Sequence, residues 1–204
     1  MNNALSVLQV RFHGRGGQGV VTAAELLSVA AFFDGKYAQA FPSFGSERMG
    51  APVTAFCRIA ELPIRSREPI TDPDALVIQD PTLLSVAEVW SGTGPSTLVL
   101  INSSRDPAQL AAMAGGGPGA TSRLMCVAAT ELALEHIGRP IPNVVLLGGL
   151  AAATGVVSLE SLAQAIEERF PSELARRNLA AAQAAWDRIL AESRKGVASH
   201  AASN

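Results

Sequence analysis

Apolar positions along this chain keep two rhythms, and their alternation is its main structural signal. Short apolar runs read as strands, and stretches with apolar residues three or four apart read as helices. The first unit is a strand (Val7–Phe12), a glycine loop, a helix (Val20–Phe33) and a short strand (Tyr37–Ala40). The helix carries Val21, Ala24, Leu27 and Ala31 on one face and is apolar almost all round. Such a helix is expected between a sheet and a further layer, and Gly35 stands where a left-handed cap closes it. Val53–Ala60 reads as a strand, Glu61–Ile64 as a turn into another extended piece, and Ala75–Gln79 as a short buried strand ended by Asp80-Pro81. Leu83–Trp90 reads as helix, while Thr97–Asn102 and Arg123–Val127 read as strands. Ala128–Ile137 is a helix closed by Gly138, and Asn143–Ala153, small and apolar throughout, is a buried helix. Ser158 caps a helix to Phe170 with Glu160 in its first turn, and Ser172 starts a last amphipathic helix bearing Leu179, Trp186 and Leu190.

Strands alternating with helices predict an α/β fold. The expected form is a Rossmann-like mixed sheet with helices on both faces, one domain over residues 1–194 and a flexible tail over 195–204. Two segments stand outside the pattern. Ala114–Ala120 holds four glycines and a proline and reads as a mobile loop. The stretch Phe41–Pro52 is rich in turn formers yet carries Phe41 and Phe44, so it packs on its own domain or meets a partner.

Composition narrows the function classes. Of 204 residues, 48% are hydrophobic and only 17% charged, so some apolar surface is expected against other subunits. A net charge of −2 offers no basic field for nucleic acid. No signal-type N-terminus or bilayer-length apolar run is visible, which predicts a soluble cytoplasmic protein without membrane contact. Cys57 and Cys126 belong to no C-x-x-C pair and read as reduced, buried thiols, so no cluster or zinc site is expected in this chain.

Gly14, Gly16 and Gly19 stand in the G-x-G-x-x-G relation between strand and helix, which suits close approach of an anion to a helix start. A dinucleotide fold would then need an acidic residue near the end of the second strand. That strand runs Tyr37-Ala38-Gln39-Ala40-Phe41, and Asp34 comes before it. Arg15, Arg48, Arg65 and Arg67 suit either a phosphorylated ligand or subunit contacts. His13 borders the loop and reads as structural, His136 as an exposed imidazole at a helix end, and Glu167 and Glu168 as a solvated face. No nucleophile elbow, H-E-x-x-H or Walker lysine is present, so no catalytic residue and no metal ligand is assigned.

The literal strings are more specific than the spacing. Arg11–Gly19, Tyr37–Val53, Asp80–Leu83, Arg139–Asn143, Leu147–Gly155, Ser158–Leu162 and Glu167–Pro171 closely resemble the gamma subunit of 2-oxoacid:ferredoxin oxidoreductases, the pyruvate synthase group. The resemblance covers the chain apart from the loop near Gly116 and the tail. It implies a multi-subunit enzyme that decarboxylates a 2-oxoacid to its acyl-CoA and passes electrons to ferredoxin or NAD. Pyruvate is the default substrate, and branched, aromatic and aryl-glyoxylate relatives share these blocks. It also implies that thiamine diphosphate, magnesium and [4Fe-4S] clusters sit in partner chains and none here. Those partners would be alpha and thiamine-binding beta subunits, a ferredoxin-like delta subunit and, in some complexes, a flavin subunit linked to NAD. By this analogy Gly14, Arg15, Gly16, Gly17, Gln18 and Gly19, with Phe44, Gly45, Glu47 and Arg48, line a subunit interface or the coenzyme A path. Met49 departs from the pattern, standing where relatives carry a basic residue. A free-standing dinucleotide-binding oxidoreductase and a non-enzymatic nucleotide-binding scaffold remain as alternatives.

Overall fold

The sheet is organised around β1 (Leu8–Arg15), whose two edges pair in opposite senses. One edge is antiparallel to β3 (Pro52–Ala60), from Leu8 opposite Ile59 to Arg15 opposite Pro52. The other is parallel to β4 (Ala75–Ile78), from Val10 opposite Ala75 to His13 opposite Ile78. With β2 (Tyr37–Pro42), β5 (Leu98–Asn102) and β6 (Arg123–Val127), the order is β2-β3-β1-β4-β5-β6. The computed structural model describes residues 7–43, 49–113 and 122–201. Phe44, Gly45, Glu47, Arg48 and the Ala114–Ala120 loop lie outside them.

Alternation along each strand sends successive side chains to opposite faces. Val10, Phe12, Ala75, Val77, Leu100 and Val127 face α1 (Val20–Phe33) and α4 (Asn143–Thr154). Leu76, Ile78, Val99, Ile101 and Cys126 face the other way, with two 3-10 turns, Pro81–Ser85 and Ala87–Trp90, and α2 (Pro107–Met113). Helices therefore lie on both faces of a mixed sheet, as the α/β pattern predicts.

Helix α4 has no polar stripe because it has no solvated side. Its sheet side approaches Val127 and Leu100 at Gly149, and its outer side meets α6 (Ser172–Ala201) at Gly148. A Cβ on Gly148 would lie 2.1 Å from the Ala182 carbonyl oxygen. This backbone approach decides which face of α6 is buried. Ala175, Ala181, Ala182, Ala185 and Ile189 are buried, whereas Leu179, Trp186 and Leu190 are only half-buried. Small residues win the position that the expected large-residue stripe would have filled. Shorter helices α3 (Ala129–Ile137) and α5 (Leu159–Arg169) complete this layer, with Ser158 capping α5 through Ser161 N–H.

Arg11 fastens the opposite face. Its guanidinium donates to the carbonyls of Ile70 (3.3 Å), Thr71 (3.1 Å), Val89 (3.0 Å) and Ser91 (2.6 Å). The segment before β4, the second 3-10 turn and the residue that follows it are thereby tied to the central strand.

Several boundaries differ from the sequence expectation. Strand β1 continues through Gly14 and Arg15, because β3 offers these residues an antiparallel partner in Val53 and Pro52. The helix expected over Leu83–Trp90 is instead two 3-10 turns, separated by extended backbone at Val86. Helix α2 was absent from the pattern reading, although Asp106, accepting from Ala108 N–H at 2.8 Å, supplies an ordinary start signal before Pro107. Helix α6 extends through Ala201, so helical backbone reaches into the segment read as the tail.

Gly148→Ala is expected to destabilise the chain by about 3 kcal/mol through overpacking against backbone, measured by urea unfolding. Gly94→Ala, where a Cβ meets nothing within 4 Å, should leave the midpoint unchanged.

Candidate functional site

The glycine loop occupies the end of β1, where the sheet changes from antiparallel to parallel pairing. Gly14 is needed for approach: a Cβ there would stand 2.6 Å from Val20 Cγ2 and 3.1 Å from Gln79 Cβ. Gly17 and Gly19 have φ of 97° and 71°, a region that side chains disfavour. Gly19 is the residue before α1 and offers no side-chain cap. The helix's first backbone bond is Ala23 N–H to Gly19 C=O at 2.9 Å. The N–H groups of Val20, Val21 and Thr22 meet no acceptor among the described residues, which leaves the positive end of the helix dipole open. A cavity of about 230 Å³ lies over this end, walled by Gly16, Gly17, Val20, Met49 and Val53. Met49 is 88% exposed, and its sulfur lies 2.7 Å from where a Gly17 Cβ would be.

One carboxylate holds the loop in this shape. Asp80, just beyond β4, accepts from Gln18 Nε2 at 2.9 Å and pairs with Arg15 Nε at 3.2 Å through Oδ2. Its Oδ1 accepts from Thr82 N–H at 2.9 Å and Thr82 Oγ1 at 2.6 Å. Gln18 Oε1 in turn accepts the Arg15 N–H at 2.8 Å. Arg15 also donates to Thr82 Oγ1 at 2.8 Å and to the Gly50 carbonyl at 3.1 Å. Gly16 N–H bonds the Ala51 carbonyl, and Gly50 N–H bonds that of Gly16. Burial alone would raise the Asp80 carboxyl, but the bonds from Thr82 and Gln18 and the charge of Arg15 outweigh it and hold it below the usual range.

The structure sorts the other candidates. Gly14, Arg15, Gly16, Gly17, Gln18 and Gly19 are together, with Arg15 already paired. Arg65 lies beside Val7 and Gln9 at the opposite end of β1, and Arg67 follows it on the same exposed segment. His13 is buried, with Nδ1 3.2 Å from Thr54 Oγ1 and Nε2 without a partner among the described residues. Burial, with the neighbouring Arg11 charge, lowers its pKa to about 3, so the ring is neutral and structural. Asp34, the carboxylate nearest β2 in sequence, accepts from Ser158 N–H (2.7 Å), Ser158 Oγ (2.8 Å) and Ser161 Oγ (2.5 Å). It joins the end of α1 to the start of α5 and is not free for a ribose. Strand β2 is also one place removed from β1, with β3 between them. Cys57 and Cys126 are free, buried thiols on strands separated by three others, and burial raises both, Cys126 to about 11. Among the described residues, no group of three or more His, Cys, Asp or Glu is placed to hold a metal, and no helix is long and apolar enough to cross a membrane. Pattern reading saw Asp80 only as a strand end. The Asp-Pro-Thr string, a cap signal at the end of a strand, could have marked it.

Comparison with known proteins gives a consistent result. Residues 9–188 match the family described as pyruvate ferredoxin/flavodoxin oxidoreductase. The chain is 46% identical over 183 residues to pyruvate synthase subunit PorC of Methanothermobacter marburgensis, covering 90% of this chain and 98% of that one. It is 45% identical over 184 residues to the pyruvate/ketoisovalerate oxidoreductases common subunit gamma of Thermococcus litoralis, with the same coverage of 90% and 98%. The crystal structure of pyruvate oxidoreductase subunit PORC from Thermotoga maritima superposes with a TM-score of 0.77 at 37% identity, covering 89% of this chain and 96% of that chain.

Asp80→Asn should cost about 2 kcal/mol at pH 7, the worth of hydrogen bonds to a charged group. Since the folded pKa is depressed, this stabilisation is present above the unfolded value of about 4 and is lost as pH falls through the folded value. Urea midpoints of the two proteins should therefore converge at strongly acid pH. His13 titrates in the opposite chemical sense but with the same direction of loss. Below about pH 6.5 the unfolded chain takes up a proton that the folded ring refuses until about 3. Stability should decline from pH 6.5 to pH 4, and His13→Asn should flatten that decline in the same urea series.

Proposed function

Because the chain belongs to the pyruvate ferredoxin/flavodoxin oxidoreductase family, we propose that it acts as the gamma subunit of a 2-oxoacid oxidoreductase and that its glycine loop holds coenzyme A. The complex would convert a 2-oxoacid and coenzyme A to acyl-CoA, carbon dioxide and one proton. The carbon–carbon bond to the carboxylate breaks, a thioester bond forms, and two electrons leave to ferredoxin or, through a flavin subunit, to NAD. Thiamine diphosphate with magnesium in a partner subunit would supply carbanion stabilisation, and [4Fe-4S] clusters in a ferredoxin-like subunit the route for electrons. Pyruvate is the default oxoacid of this reading.

The observation that carries the coenzyme A assignment is the uncapped start of α1 opening on the cavity above the loop. Free N–H groups and a glycine without side-chain bulk suit a phosphate group. Arg15 would shape the loop rather than grip the anion, since Asp80 already neutralises it. Phe44, Gly45, Glu47 and Arg48 belong to the same ligand path in this reading. The engaged Asp34 and the displaced β2 disfavour a free-standing dinucleotide enzyme.

Subunit contact is assigned to a different surface. Phe32, 72% exposed, stacks edge-on with Phe33 at the far end of α1, beside exposed Tyr37. Over the helix length of roughly 20 Å, this patch is well separated from the loop. We assign it to the alpha and beta subunits.

In the reconstituted complex, Gly17→Val should raise the KM for coenzyme A about tenfold through strain at a positive φ and contact with Met49. The KM for the 2-oxoacid should stay unchanged. An assembled complex with an unaltered coenzyme A KM would remove the loop from the ligand path, and failed assembly would make the loop an interface.

A further inference from the structure

At the end of β1 away from the glycine loop lies an open groove of about 610 Å³. Val7, Leu62, Ile64 and Pro69 give it apolar walls, and Arg58 and Arg65 line it as well. Arg58 is only 5% exposed. Its Nε donates to Gln9 Oε1 at 3.3 Å and its Nη2 to the Glu68 carbonyl at 2.6 Å, while Nη1 has no acceptor among the described residues. The Phe41 ring lies 5.5 Å from the guanidinium carbon. The Glu68 carboxylate is near enough to favour the charge but makes no ion pair with it. A buried cation in this state lacks a counter-ion, which costs stability until one is supplied.

The chain that borders the groove has unpartnered backbone too. Residues 62–67 follow β3 as irregular, mostly exposed chain. Their N–H and C=O groups bond no other backbone group among the described residues. Arg65, on this stretch, is exposed and forms no ion pair among the described residues. Exposed apolar side chains gather at the same end of the molecule. Val7 and Leu62 lie in the groove, and Tyr37, opposite Ala60 in the sheet, carries the apolar surface on towards Phe32 and Phe33.

A buried cation without a counter-ion, a second cation beside it, free backbone and apolar walls match an acidic peptide better than a small ligand. We propose that this groove docks a segment of a partner subunit in which an Asp or Glu stands beside apolar residues. Its carboxylate enters between Arg58 and Arg65 and supplies both the missing acceptor and the counter-ion. Its apolar side chains pack on Leu62 and Ile64, and its backbone bonds residues 62–67. The proposal rests on the gamma-subunit reading and extends the contact assigned to Phe32, Phe33 and Tyr37 into the neighbouring groove.

The test titrates the chain into the remaining subunits of the complex and reads the recovery of turnover. Arg65→Glu should raise the half-saturating concentration about thirtyfold, with kcat at saturation and the KM for coenzyme A unchanged. Arg65→Lys should stay within about threefold of the unaltered chain. In the complex carrying Arg65→Lys, a zero-length carbodiimide should join the introduced amine to an aspartate or glutamate of a partner subunit, located by peptide mass spectrometry. Cross-links confined to Glu61 or Glu68, with half-saturation unmoved by Arg65→Glu, would overturn the proposal. A cross-link between two copies of this chain would overturn it in favour of self-association. If Phe32→Asp alone raises the half-saturating concentration, the subunit reading survives while the groove falls. If neither variant raises it, both fall.

Discussion

Close backbone approach at glycine is the constraint on which this architecture depends. Helix α1 stands so near the ends of β1 and β4 that Gly14 has no room for a methyl group. At the next contact outward, a Cβ on Gly19 would lie 2.3 Å from Asn143 Nδ2 at the start of α4. Helix α4 then meets α6 with Gly148 against the Ala182 carbonyl. Sheet, inner helices and outer helix are thus stacked through positions where side chains are missing. The alanines buried along α6 follow from the same requirement, since larger residues would hold the layers apart.

This stacking also sets the electrostatics of the glycine loop. Its obvious cation, Arg15, is neutralised by Asp80, and Arg11 is enclosed by backbone carbonyls on the other face of the sheet. The positive potential that remains comes from the peptide dipoles of α1, which point out of the end left bare by Gly19. A site built in this way attracts anions without a fixed side-chain charge. Arg139 and Arg169 stand one cavity away, on segments joined to the loop only by folding.

Elements bounded by strong local signals were legible from the chain alone. Helix α1 runs over Val20–Phe33 as read, because glycines mark both of its ends. The buried helix after Asn143 was legible from its uninterrupted small apolar residues. The 3-10 turns were not, since the bond from Trp90 Nε1 to the Leu84 carbonyl competes with helix and only the folded chain reveals it. The large residues of α6 misled because the partner's shape, rather than residue size, chose its buried face. At the candidate site the glycines were legible by spacing. The bond from Gln18 to Asp80, 62 residues distant, was not. Arg65 and Arg67 looked equivalent to Arg15 until the antiparallel β1–β3 pairing placed them at the other end of the strand.

The clamp made by Arg11 gives an irregular segment the cooperativity of a sheet. Residues 70–91 contain only one short strand and two 3-10 turns, a composition that elsewhere frays easily. Here their release would strand a buried guanidinium without its four carbonyl acceptors. Local opening of that segment is therefore coupled to loss of β1 itself. In hydrogen-exchange terms the segment and the central strand form one foldon, and the turns share the slow, near-global protection of the sheet.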